Sequence, residues 1–137
     1  MKSLTHHARF LAGSVALALC IFAGCGKQAG SDNPVLDAPP PKTPVQAAKQ
    51  LEQAFVAAPP QVQTAVTTAT EGMRTGDYEK AVAGLEVLKA TANQTMEQGM
   101  AVHNSSVALE QKLIAGIQAG DPNAKRAYEL LKKMKKN

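Results

Sequence analysis

The chain has 137 residues, a formal net charge of +4, 45% hydrophobic but only 4% aromatic residues, no tryptophan and two cysteines. That length supports a modest core, and so few cysteines exclude a disulfide-stapled fold. The charge is also unevenly placed: between Cys25 and Leu131 there are 9 basic against 11 acidic residues, while Lys132, Lys133, Lys135 and Lys136 crowd the end. A basic stripe with interleaved aromatics is therefore missing, and nucleic acid is not an expected partner.

The first element is an export signal over residues 1–24. Lys2 and Arg9 form a basic n-region, and Phe10 to Phe22 is an apolar run of 13 residues, short of the ~20 that span a bilayer. Small residues Ala23 and Gly24 then lead into Cys25. Phe22-Ala23-Gly24-Cys25 resembles the lipobox of bacterial lipoproteins. The resemblance implies cleavage between Gly24 and Cys25, a diacylglyceryl thioether on the Cys25 sulfur and an acyl group on the freed amine. That lipid is the only prosthetic group expected. Two or three chains at about 0.8 kcal/mol per buried methylene would anchor the protein durably. With Gly26 rather than Asp after the cysteine, it further implies the outer membrane, facing the periplasm.

Maturation would leave Cys25 tied up in lipid and His103 as the only histidine, so no Cys/His zinc site is expected. Residues 25–43 carry the lipidated cysteine and then a tether of Gly, Ser, Asn and four prolines. As extended polyproline at ~3.1 Å per residue, the 18 residues after Cys25 would hold a domain up to roughly 55 Å from the membrane.

Residues 44–137 read as an all-α domain, a small antiparallel helical-hairpin bundle of about five helices with a basic C-terminal tail. Thr43 caps and Pro44 opens the first helix, with Val45, Ala48, Leu51, Phe55 and Val56 at helical spacing. Pro59-Pro60 stops it and starts a second, which buries Val62, Ala65, Val66, Ala69 and Met73 and leaves Thr64, Thr67 and Thr70 outside. Gly76-Asp77 ends that helix and caps a third over 78–92, with Tyr78, Ala81, Val82, Leu85 and Leu88 inward. Thr95 and Gln98 have capping-box spacing and open a long helix to about Ala119. Gly120-Asp121-Pro122 repeats the stop-and-cap signal, and Ala124, Ala127, Tyr128, Leu131 and Met134 line the last helix.

The two Gly-Asp turns head a faint repeat, Leu-Glu-Val-Leu-Lys at 85–89 matching Tyr-Glu-Leu-Leu-Lys at 128–132. Gly76-Asp77-Tyr78-Glu79-Lys80-Ala81-Val82 resembles the turn of a tetratricopeptide repeat, with Ala69 and Ala81 at its small positions. Ala65, Thr68-Ala69 and Gly72 stand where that motif has Trp, Leu-Gly and Tyr, and Asn93 where it has its closing proline. The long helix also exceeds a 34-residue period. The resemblance implies local hairpin architecture rather than an array.

On the long helix, Met96, Met100, Val102, Val107, Leu109, Leu113, Ile114 and Ile117 suggest a broad apolar face, into which His103, Ser106 and Glu110 project as a polar notch. Acid, nucleophile and base are there by type. Oxyanion donors and a group to orient the base are not supplied by one helix face, so no catalytic residue is assigned and no metal is expected. Met73, Met96, Met100 and Met134 are expected to fill gaps in an alanine-rich core. Lys132, Lys133, Lys135 and Lys136 exceed what a helix dipole needs and are candidates for an anionic contact, either lipid phosphate or an acidic partner. The expected function is that of a non-enzymatic envelope lipoprotein, a protein-interaction or structural module. The alternative is a small-ligand-binding or enzymatic domain built on the His103, Ser106 and Glu110 notch.

Overall fold

A computed structural model describes residues 39–136. The signal and lipid assignments, including Gly24 and Cys25, lie outside the described residues. Those described form five helices and no strand: α1 Pro44–Ala54, α2 Pro60–Thr75, α3 Tyr78–Lys89, α4 Met96–Gln118 and α5 Pro122–Lys136.

Local chemistry sets the boundaries. The Thr43 hydroxyl accepts from the Gln46 amide, Asp77 accepts from Lys80, and Thr95 and Gln98 close a reciprocal capping box, so the starts of α1, α3 and α4 satisfy donors that would otherwise be orphaned. Gly76 and Gly120 end α2 and α4 with φ of +81° and +82°, a left-handed conformation that glycine adopts without steric cost. The third helix stops at Lys89, short of the expected 92. Asn93 takes φ +59°, and the Gln94 side chain turns back to the Leu88 carbonyl, closing the end of the helix.

Short links make α2 and α3, and α4 and α5, hairpin neighbours. Helix α1 lies on α2 and α4, and α3 also meets α4 and α5. The hairpins close through missing side chains. A Cβ on Gly72 would lie 2.5 Å from the Ala81 nitrogen, one on Gly84 2.5 Å from the Ala69 nitrogen, and one on Gly116 2.7 Å from the Ala124 Cβ. The Gly-Asp repeat thereby extends backwards: Gly72 and Gly116 each stand four residues before the turn glycine and face an alanine of the following helix.

The core holds Leu51, Phe55, Val66, Leu85, Leu88, Leu109, Leu113 and Leu131 among many alanines. Several side assignments change. Val45 and Val56 are exposed, and Ala47 takes the inward place in α1. Thr70 is buried rather than outward, since its hydroxyl reaches the Thr67 carbonyl at 3.3 Å and needs no water. In α4 the buried side is Ala101, Val102, Ser105, Ala108, Leu109 and Leu113, while Met96, Met100 and Ile114 face out. Small residues at 101, 105 and 108 let neighbouring helices come close, and this selects one of two apolar sides. Of the four methionines assigned to the core, Met73 and Met134 are buried there.

Candidate functional site

Two adjoining features on α4 stand out, a cleft and an exposed apolar face. The cleft, about 290 Å³, lies where α4 meets the end of α3 and the last turns of α5. Val102, Val107 and Met134 give it an apolar wall, and Lys89, His103 and Lys135 a basic rim. Lys89 Nζ donates to the Met134 carbonyl at 2.6 Å, which ties α3 to the end of α5.

The expected notch is only partly assembled. His103 and Ser106 both line the cleft. However, Ser106 Oγ donates to the Val102 carbonyl at 2.9 Å within its own helix, and Glu110 Oε2 accepts from Lys135 Nζ at 2.8 Å. His103 is exposed on the rim. Among the described residues no hydrogen bond joins the three, so the base-nucleophile contact that acyl transfer requires is missing. Nor do the described residues contain any group of three His, Cys, Asp or Glu that could hold a metal ion.

The lysine cluster is the last turns of α5 rather than an appended tail. Lys132 pairs with Glu129 at 2.8 Å and lies over the Tyr128 ring, and Lys135 holds Glu110. Their partners hold the Glu129 carboxyl below its usual range and raise the Lys132 ammonium above its own, in both cases chiefly through the Glu129–Lys132 hydrogen bond. Lys133 and Lys136 are exposed.

The other feature is the outer face of α4, which sequence reasoning merged with Val102, Leu109 and Leu113 into one broad apolar face and the structure separates from them. Met96, Met100 and Ile114 are 76%, 44% and 40% exposed, too wet for core positions. With His103, Val107, Glu110 and Ile117 they follow intervals of 4, 3, 4, 3, 4 and 3 along the helix. A repeat of that kind keeps one seam in line, and it is the available signal that α4 has a second apolar side. No helix among the described residues is long and apolar enough to cross a membrane, so this seam is not part of a spanning segment.

The chain matches no protein-family model, no curated protein and no solved structure. The functional reading therefore rests on its own residues.

Proposed function

We propose that this is a membrane-anchored envelope lipoprotein whose helical domain, held off the lipid by the proline-rich tether, is a non-enzymatic interaction module that docks a protein helix on the outer face of α4. The observation that carries it is the exposure of Met96, Met100 and Ile114 in line on one helix. Exposed apolar side chains aligned along one helix of a small domain mark a contact surface, and methionine adapts its shape to a partner. Cys25 supplies the anchor in this reading, and the outer membrane facing the periplasm is the location its lipobox implies. Lys133 and Lys136 remain candidates for an anionic contact, lipid phosphate or an acidic partner.

The cleft beside His103 favours a second reading, a small-ligand site with an apolar wall and a basic rim. Its ligand would protect wild type against heat but not His103→Gln.

Crosslinking in intact cells tests the docking reading. The full chain should yield a specific crosslinked product, and Met100→Glu combined with Ile114→Glu should abolish it while leaving lipidation and helicity unchanged. An unaltered product would refute the assignment of this face.

A further inference from the structure

The geometry points to a second copy of this chain as the occupant of the α4 face, paired antiparallel about a two-fold axis near Val107; the inference rests on the docking reading above and names its partner. The order of chemistry along the seam is nearly the same read from either end. Counted outward from Val107, Met100 and Ile114 stand seven residues away on either side, His103 four before and Glu110 three after, Met96 eleven before and Ile117, half-buried against the domain's own core, ten after. Reversing the helix therefore sets apolar against apolar at both ends and the histidine against the carboxylate between them. A two-fold contact requires this kind of self-complementarity, in which residue i meets j and j meets i. The seam extends about 32 Å at 1.5 Å per residue.

Charge separates a copy from other helices. Glu110 lies within the seam, and Lys135 Nζ occupies only its Oε2. A wholly apolar partner would cover the carboxylate without giving its second oxygen a donor, which is costly in a drying interface. A parallel copy would set Glu110 against Glu110. An antiparallel copy brings His103, exposed and without a hydrogen bond among the described residues, to that oxygen. Two His103–Glu110 contacts, one each side of Val107, would flank the axis.

The test uses the full chain in detergent, with mass followed by sedimentation and exchange between labelled copies by energy transfer. Wild type should be a dimer. Met100→Glu with Ile114→Glu should weaken self-association by at least about 30-fold, the loss expected on removing one buried anchor. His103→Glu alone gives each face two acids, Glu110→Lys alone two bases, and each should be monomeric. Mixed together they should pair, since each then meets a face of opposite charge. Helical dichroism of each variant checks that it has folded. A monomeric wild type, a dimer indifferent to Met100 and Ile114, or charge variants that fail to rescue one another would overturn the proposal. If wild type is monomeric yet the cellular crosslink still depends on Met100 and Ile114, the copy is the wrong partner and the docking face stands. If that dependence is also lost, both readings fall.

Discussion

Gly84 of α3 lies against Ala69 of α2 so closely that a Cβ on the glycine would sit 2.5 Å from the Ala69 nitrogen and 2.8 Å from its Cα. Backbone cannot rotate out of the way, so the hairpin itself must open to admit a methyl group. Gly84→Ala should destabilise the protein by about 1 to 3 kcal/mol despite alanine's better helix propensity. Gly99 of α4 is the control, because its nearest neighbour is the Gln94 side chain at 3.8 Å. Gly99→Ala should stabilise by roughly 0.5 to 1 kcal/mol. Urea unfolding of both variants measures the contrast, and equal effects would show that α2 and α3 are not in such close contact.

Ser105 presents the opposite problem, a hydroxyl fully buried on the inner side of α4 with no hydrogen-bond partner among the described residues. An unsatisfied buried hydroxyl costs on the order of 1 to 3 kcal/mol, whereas alanine keeps the small volume that close packing needs. Ser105→Ala should therefore raise the unfolding midpoint, by an amount equivalent to about 1 kcal/mol. A lower midpoint would mean that the hydroxyl has a partner.

Glu52 and Arg74 join α1 to α2 through two parallel contacts of 2.6 Å. The hydrogen bond from Arg74 holds the Glu52 carboxyl below its usual value of 4.5, and the same bond raises the guanidinium above its own. A depressed carboxyl adds stability that is fully present above the unfolded value and disappears as pH falls through the folded one. Glu52→Gln should thus be less stable than wild type at neutral pH and converge with it as pH falls through the folded value, which lies below 4.5. Both side chains are about two-fifths exposed, so the neutral-pH difference should be only ~0 to 1 kcal/mol and shrink in salt. Denaturation at several pH values follows it, and a gap that persists into acid would exclude the ion pair as its source.

Cys25→Ser should abolish labelling by a fatty-acid analogue and leave an unprocessed or soluble chain, because only the thiol can form the thioether. Labelling that survives the substitution would remove the lipoprotein assignment.

Helix starts and stops were legible because they depend on neighbouring residues: Thr43 before Pro44, Thr95 three before Gln98, and Gly-Asp twice. The inward side was less legible. Thr70 is polar by type, yet one hydroxyl satisfied by its own helix can be buried, while Val45 is apolar by type and exposed. In α4, apolar side chains occur on two sides, so periodicity alone could not choose between Met96-Met100-Ile114 and Ala101-Ala108-Leu109. Tertiary packing chose the small residues, whose missing volume becomes informative only once a second helix is in place. The notch had the same weakness. Spacing placed His103, Ser106 and Glu110 near one another but could not anticipate Lys135, which arrives from another helix and takes the carboxylate.

The docking role of the α4 outer face is tested most directly by placing a photo-crosslinking side chain at each position from 96 to 118, and at positions 87 and 130, one at a time, in the full chain in living cells. The account predicts strong, repeating yield at Met96, Met100, His103, Val107 and Ile114, with little at Val87 of α3 or Leu130 of α5, which are also exposed. Yield that peaks at Val87 or Leu130, or that follows exposure alone with no 4-and-3 spacing along α4, would contradict it.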